Sequence, residues 1–286
     1  MQVKATTKIY GIFGHPVSHS LSPLMHNSAF AALGLDCVYT AFDVRPDDID
    51  KAADAIRALG ISGVNVTIPH KQTIIPHLDE VSSDAKHTGA VNTVKNENGR
   101  LTGYNTDVGG FMRAAREELG VSPEGASVLL LGAGGAARAV ISAFGMNGAK
   151  RIAVTNRTRD KAEKLAEEFA GLFPDTSIYP VDSGDAGAVA KELGLTDVIV
   201  NSTSGGMEGS RELEFNIEAL RDGAAVYDLV YKPRETRLVK EAKALGHKAV
   251  GGLGMLLYQG ALSFEIWTGE TAPVGVMRKA ISRPGR

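Results

Sequence analysis

The stretch Val128-Leu-Leu-Leu-Gly132-Ala-Gly134-Gly135-Ala-Ala-Arg138 decides the fold of this 286-residue chain. Its apolar start predicts a buried strand, and the G-x-G-x-x-A turn that follows opens a helix. Such glycines let the backbone turn tightly and approach a pyrophosphate, which the free N–H groups of the helix N-terminus would hold. The sequence therefore predicts a dinucleotide site, with these candidate residues: Gly132, Ala133, Gly134, Gly135 and Ala136.

The residues after the next predicted strand indicate which dinucleotide binds. An NAD site usually has an acidic residue there, about twenty residues beyond the turn, to hold the ribose hydroxyls. This chain instead has Asn156-Arg157-Thr158 and no carboxylate. The guanidinium of Arg157 could pair with a 2′-phosphate, and Thr158 could add a hydroxyl while capping the next helix. This position favours NADP over NAD, although a surface arginine beside a helix cap would also explain it.

Strand and helix patterns alternate outward from this stretch along the whole chain. Strands are predicted at 9–13, 37–44, 63–67, 128–131, 152–155, 197–200, 225–229 and 248–250. Helices are predicted from 22 and 135 onward and at 47–59, 158–169, 236–245 and 255–267, the last mostly apolar and buried. Asn98-Gly99 predicts a hairpin, and Ser22-Pro23 a helix start that Ser22 caps. The fold class is therefore α/β, with mainly parallel sheets in two domains.

The motifs, rather than composition, set the domain limits. We expect a substrate domain at 1–106 plus 253–286 and a Rossmann-type NADP domain at 107–252. The net charge of −2 gives no reason to expect nucleic acid or an anionic membrane as partner. The single cysteine, Cys37, suits a reducing compartment, and no secretion signal or membrane span is evident, so a cytoplasmic location is expected. No metal-binding spacing occurs, and the sequence leaves a homodimer open.

Polar segments follow the predicted strands of the first half of the chain. They are Ser20-Leu-Ser22-Pro23, Asn65-Val-Thr67-Ile-Pro69-His-Lys71, Gly89-Ala-Val-Asn92-Thr93 and Asn105-Thr106-Asp107. Their hydroxyls, amides, lysine and carboxylate suit a small polyhydroxylated carboxylate better than an apolar ligand. Each segment alone could also be an ordinary cap or turn.

Together with Met255-Leu-Leu-Tyr-Gln259 and Trp267-Thr-Gly269, these segments resemble the shikimate dehydrogenase family almost end to end. The resemblance implies an NADP-dependent oxidoreductase that reversibly reduces 3-dehydroshikimate to shikimate, in chorismate and aromatic amino acid biosynthesis. One departure is Leu229, where many members have methionine, which is also apolar and similar in volume.

The resemblance also implies roles for the matched residues. Lys71 and Asp107 would be catalytic and would lie at the carbon that is oxidised. The implied substrate-binding residues are Ser20, Ser22, Asn65, Thr67, Lys71, Asn92, Asp107, Tyr231 and Gln259. Those implied for NADP, besides the glycine-rich turn, are Asn156, Arg157, Thr158, Thr203, Leu229 and Gly252. Lys71 would act as the acid in the reduction, with Asp107 as its partner.

Two alternatives stay open at the level of sequence. One is a broader quinate/shikimate dehydrogenase that uses NAD. The other is a non-catalytic protein that senses NADP or a metabolite, against which the presence of both Lys71 and Asp107 argues.

Overall fold

The computed structural model of the protein describes residues 3–211 and 213–282. It divides the chain into two compact units. Unit 1 comprises Met1–Gly110 and Leu257–Arg286, and unit 2 comprises Phe111–Leu256. Both units are α/β, so the predicted fold class is confirmed.

Unit 1 is built on a six-stranded mixed sheet with the order β2-β1-β3-β5-β6-β4. Its strands are β1 (Lys8–Gly14), β2 (Cys37–Asp43), β3 (Gly63–Val66), β4 (Glu80–Val81), β5 (Thr93–Glu97) and β6 (Arg100–Tyr104). Its helices are α1 (Ser22–Ala32), α2 (Ile49–Ala58) and α3 (Ser83–Thr88), the start of α4 (Asp107–Ala114), most of α9 (Leu253–Thr268), and α10 (Val274–Ser282). The β5–β6 hairpin turns at Asn98 and Gly99, both with positive φ as a type I′ turn requires, so the predicted hairpin is confirmed.

Unit 2 is built on a parallel six-stranded sheet with the order β12-β11-β10-β7-β8-β9. Its strands are β7 (Ser127–Leu131), β8 (Arg151–Thr155), β9 (Ser177–Val181), β10 (Val198–Asn201), β11 (Ala225–Asp228) and β12 (Lys248–Val250). The helices that lie wholly within it are α5 (Gly135–Gly145), α6 (Arg159–Leu172), α7 (Ala186–Leu193) and α8 (Arg237–Ala244). The order reverses beside β7, the topological switch point at which doubly wound folds bind ligands.

Each sheet buries its own apolar core. In unit 1, Phe13, Val64 and Leu101 pack with the apolar face of α2. In unit 2, Leu129 and Val226 pack with their neighbours from α8 and the loops. No helix within the described residues is long and apolar enough to cross a membrane.

Helix α1 starts differently from the sequence prediction. Ser22 is the first residue of the helix, and its hydroxyl makes no cap hydrogen bond. The Ser20 hydroxyl instead accepts the Ser22 backbone N–H at 3.2 Å, so a neighbouring serine already satisfies that donor. The prediction that Ser22 caps this helix is therefore wrong, and its buried hydroxyl is left for other contacts.

An aromatic cluster fills the space between α1, α9 and the sheet of unit 1. His26 stacks on Tyr39 with ring centroids 4.5 Å apart and lies 5.3 Å from the ring of Trp267. The imidazole is fully buried, and neither ring nitrogen has a hydrogen-bond partner. Burial therefore favours the neutral ring and lowers the pKa of His26 to about 3.

This depressed pKa predicts acid sensitivity. An unfolded histidine takes up a proton near pH 6.5, whereas folded His26 does not. The contribution of His26 to the free energy of unfolding is therefore fully present above about pH 6.5, and it is lost as the pH falls toward 3. Between pH 7.5 and pH 5 the loss from this residue is about 2 kcal/mol.

His26→Phe should remove most of that loss. The measurement is urea unfolding at both pH values, followed by the fluorescence of Trp267, the only tryptophan of the chain. His87→Gln changes an exposed histidine and is the matched control. An unchanged pH dependence in His26→Phe would contradict this account of the buried imidazole.

Candidate active site

The side chain of Asn92 is the centre of a polar cluster in unit 1. Its Nδ2 donates to Thr106 Oγ1 and Asp107 Oδ1, each at 2.9 Å, and lies 3.4 Å from Gln259 Oε1. Its Oδ1 accepts the backbone N–H of Thr106 at 2.8 Å. Asn92, Asp107 and Gln259 are all at most 9% exposed, so these contacts are shielded from water.

Lys71 joins this cluster through an ion pair. Its Nζ donates to Asp107 Oδ2 at 2.6 Å, and the two side chains are only 15% and 5% exposed. The Lys71 carbonyl accepts the Val91 N–H at 2.8 Å, which ties this segment to the residues just before β5. The pair gives the cluster an ammonium group that Asp107 orients and that keeps further N–H donors for a ligand.

Local structure explains why Asp107 stands at this point. It is the first residue of α4, where a carboxylate interacts favourably with the helix dipole. The Asn105 side chain accepts the backbone N–H groups of Asp107 and Val108, and so caps the helix. A side chain at Gly110 would lie 2.5 Å from the backbone of Gln259, so only glycine lets α9 approach α4 this closely.

The Asn65 side chain is held by hydrogen bonds to protein partners. The Tyr39 hydroxyl donates to its Oδ1 at 2.7 Å, and its Nδ2 contacts Thr93 and Ser263 at 3.2 and 3.0 Å. The amide is thus already occupied by protein partners and is 4% exposed. It supports the floor of the cluster, and its predicted contact with substrate stays a prediction.

The remaining predicted residues of unit 1 lie after β3 and at the start of α1. Thr67 is half-buried and follows β3, beside Gly14 at the end of β1. Ser20 and Ser22 stand at the start of α1, and the Ser22 side chain is hydrogen-bonded to the Tyr39 hydroxyl. Burial holds the pKa of Tyr39 well above its ordinary value, so its hydroxyl keeps its proton.

Sequence reasoning missed Tyr39 and Ser263 as members of this network. Successive side chains of β2 point to opposite faces of the sheet, and this alternation could have indicated that Tyr39 faces the core. The partner of its hydroxyl depends on chain segments remote in sequence and could not be read from that pattern. Ser263 stands one helical turn after Gln259 and so lies on the same face of the helix. This spacing could have indicated that Ser263 belongs to the network.

The glycine-rich turn of unit 2 fits a phosphate-bearing ligand. Gly132 has a φ of 108° after β7, and an added Cβ would meet Ser202 Oγ at 2.7 Å. Gly134 precedes α5 and is exposed, and a Cβ there would meet nothing within 4 Å. The space before the helix N-terminus is therefore open to a ligand, toward which free backbone N–H groups would point.

Beside this turn lies the segment after β8. Arg157 and Thr158 are exposed, and Thr158 is at the N-cap position of α6 without a side-chain cap bond, so the predicted capping by its hydroxyl is wrong. The Asn156 amide donates to the Thr158 carbonyl at 2.9 Å and shapes the loop. Exposed cationic and hydroxyl groups at this edge suit an anionic ligand.

Three further predicted cofactor residues lie on the other side of β7. The Thr203 hydroxyl donates to Asn201 Oδ1 at 2.7 Å. A Cβ added at Gly252 would lie only 2.1 Å from the Leu229 carbonyl oxygen, so the two residues are in close contact. Tyr231 follows in the same loop, and burial raises the pKa of its hydroxyl. Within the described residues, no group of three or more His, Cys, Asp or Glu could hold a metal ion.

The fold and these two clusters are typical of a two-domain α/β protein with a dinucleotide-binding unit. Three family models match the chain. They are the shikimate dehydrogenase substrate binding domain at residues 12–94, shikimate / quinate 5-dehydrogenase at 113–207 and the shikimate 5′-dehydrogenase C-terminal domain at 252–281.

Relatives cover nearly the whole chain. A shikimate dehydrogenase (NADP(+)) of Moorella thermoacetica is 48% identical, over 98% of this chain and 95% of its own. The solved shikimate 5-dehydrogenase of Thermus thermophilus, in complex with NADP(H) and shikimate, is 39% identical with a TM-score of 0.85, covering 96% and 98%. A quinate dehydrogenase of Corynebacterium glutamicum, in complex with NAD, is 33% identical with a TM-score of 0.88, covering 96% and 98%. This chain belongs to the shikimate dehydrogenase family, and the predicted resemblance is confirmed.

The glycines yield a prediction about stability. Gly252→Ala forces a methyl group against the Leu229 backbone and should cost about 1–3 kcal/mol. Gly134→Ala places its methyl group in open space at a φ of −101°, which any residue adopts, so the free energy of unfolding should stay within about 0.5 kcal/mol. Urea unfolding followed by circular dichroism measures both. Equal stability of the two variants would show that the Leu229–Gly252 contact is looser than described.

Proposed function

We propose that this chain catalyses the reversible, NADP-dependent reduction of 3-dehydroshikimate to shikimate. The observation that carries the proposal is the shielded Lys71–Asp107 pair joined to the Asn92 and Gln259 amides, in a member of the shikimate dehydrogenase family. The free thiol of Cys37, the only cysteine, supports a cytoplasmic location as part of the same proposal.

In this proposal each residue of the cluster has a chemical task. NADPH, when bound, would supply the hydride that reduces the carbonyl carbon. The charged Lys71 ammonium donates a proton to the oxygen that becomes the alkoxide, and Asp107 keeps Nζ directed at that oxygen. Gln259 offers its amide to a ring hydroxyl, with Thr67 as a further hydroxyl partner. Asn92 would exchange one of its protein partners for a second ring hydroxyl. Ser20 and Ser22 hold the substrate carboxylate at the start of α1.

The unit 2 residues support the cofactor part of the proposal. The open space at Gly134 and the start of α5 suits the pyrophosphate. Exposed Arg157, with Asn156 and Thr158 beside it, suits the 2′-phosphate, and no carboxylate stands there to prefer a ribose hydroxyl. Thr203, Leu229 and Gly252 then border the nicotinamide half, and the substrate contact that the resemblance implies for Tyr231 stays a prediction.

A four-way assay tests the proposal. Shikimate and quinate are each offered with NADP⁺ and with NAD⁺, and reduced nicotinamide is followed by absorbance. Turnover is expected with shikimate and NADP⁺, at least tenfold above each other pairing. Comparable turnover of quinate or use of NAD⁺ would instead favour the broader quinate/shikimate dehydrogenase, to which the Corynebacterium match lends support. NADP binding without any turnover would favour the sensor alternative.

Lys71→Ala separates catalysis from cofactor binding. It should lower kcat by about 10²–10⁴-fold, since the proton donor is lost, while the Kd of NADP⁺ changes less than twofold. Lys86→Ala, which removes an exposed lysine of α3, is the control for a lost positive charge. Wild-type kcat in Lys71→Ala would remove this residue from the mechanism.

A further inference from the structure

Asp228 is a carboxylate of unit 2 that has no role in the proposed mechanism. Asp228 ends β11 and is fully buried, 0% exposed. Its Oδ1 accepts the Asn201 amide at 2.8 Å and the Val230 N–H at 3.0 Å, and its Oδ2 accepts the Thr236 hydroxyl at 2.6 Å. Every one of these partners is neutral, and no lysine or arginine of the described chain forms an ion pair with Asp228.

The hydrogen bonds fit an ionised carboxylate. The Asn201 amide and the Val230 N–H can only donate, which fixes Oδ1 as an acceptor. The Thr236 oxygen already accepts the Val239 N–H as the N-cap of α8, so its proton is directed to Oδ2. Burial raises the pKa of Asp228 above its ordinary value of 3.8, while the three donors act against that rise.

A buried charge without a counter-charge is costly, and that cost needs a reason. The position of Asp228 in the sheet offers one. The pyrophosphate turn follows β7, and the adenosine-side residues Asn156–Thr158 follow β8, on one side of it. A dinucleotide that crosses the switch point then extends over the ends of β10 and β11, on the opposite side.

The carboxylate is also rigidly coupled to that end of the site. Val230, whose N–H it accepts, receives the Gly252 N–H on its own carbonyl at 3.0 Å. Leu229, between Asp228 and Val230, packs its carbonyl against Gly252. Through Asn201 the same carboxylate is linked to the Thr203 hydroxyl. Hydrogen bonds thus link Asp228, through Asn201 and Val230, to the segments that carry the three residues proposed to border the nicotinamide.

We propose that Asp228 supplies the buried negative charge that stabilises the positively charged, oxidised nicotinamide ring relative to the neutral, reduced ring. This inference rests on the proposed use of NADP and extends it. Asp228 is a positioning residue that sets the balance between the two redox forms of the bound cofactor. It takes no part in moving the hydride or the proton.

The test compares equilibrium binding of the two cofactor forms to the full-length protein. Asp228→Asn should raise the ratio of the Kd for NADP⁺ to the Kd for NADPH by about 3- to 10-fold, the range expected for losing one nearby charge at intermediate dielectric. Calorimetric titration gives both constants. Adenosine 2′,5′-bisphosphate lacks the nicotinamide and should bind both proteins equally.

Thr236→Val is the matched control because it loosens the same network and keeps the charge. In Thr236→Val the ratio of the Kd for NADP⁺ to the Kd for NADPH should equal that of the wild type, even if both cofactor forms bind more weakly. Equal weakening of NADP⁺ and NADPH in Asp228→Asn, or an equal change of the ratio in Thr236→Val, would overturn the inference.

Three further outcomes are distinguished from these. Should Asp228→Asn not fold by circular dichroism, Asp228→Ser, also neutral but smaller, gives the same comparison with the same expected direction. If the wild type binds neither cofactor form, the proposed function itself fails. If the wild type binds NADP and oxidises shikimate while the ratio stays unchanged in the neutral variants, only the role of Asp228 fails.

Discussion

The amide of Asn92 is the contact on which the polar cluster of unit 1 depends. It joins the residue just before β5 to the helix start at Thr106 and Asp107. It also reaches Gln259 of α9, which stands 167 positions further along the chain. An amide suits this place because its nitrogen donates twice and its oxygen accepts, so it serves a carboxylate, a hydroxyl and a backbone N–H together. Asp107 is thereby fixed from one side while Lys71 holds it from the other.

The parallel arrangement of strands explains why functional side chains gather in each unit. The carboxyl ends of parallel strands lie at one edge, so loops that are distant in sequence become neighbours. In unit 2 this edge collects the turn at Gly132, the Asn156 loop, Thr203 and Leu229. In unit 1 the antiparallel pairing of β5 with β3 turns that strand round, so Asn92 stands just before β5 and reaches the same edge as Thr67.

Much of the fold could be predicted because its signals are local. The glycine-rich turn, the Asn98-Gly99 hairpin and the apolar runs depend on neighbours within a few residues, and each produced the expected element. The short strands β4 and β9 and the helices α3, α4 and α7 were missed, since brief elements carry little periodicity. The caps assigned to Ser22 and Thr158 were wrong because a hydroxyl near a helix start has several possible partners, and only the folded chain selects one.

Less of the candidate site than of the fold could be predicted from the sequence. The reactive groups Lys71 and Asp107 could be proposed from their segments and from the family resemblance. The supporting network of Tyr39, Ser263 and Asn65 could not, since its hydrogen bonds join residues up to 198 positions apart. Asp228 had a visible signal, a lone carboxylate in the apolar run from Ala224 to Tyr231, but its neutral partners became evident only in three dimensions.

Unit 1 is assembled from both ends of the chain, whereas unit 2 is one continuous segment. During synthesis on the ribosome, the six strands of the first unit emerge early. Gln259, the Trp267 ring that donates to the Val94 carbonyl, and α10, which packs on α1, emerge only after all of unit 2. The nascent chain therefore holds an uncovered sheet and an incomplete polar cluster until α9 and α10 have emerged. Helices α9 and α10, which follow unit 2 in the chain, therefore complete a domain whose strands precede it.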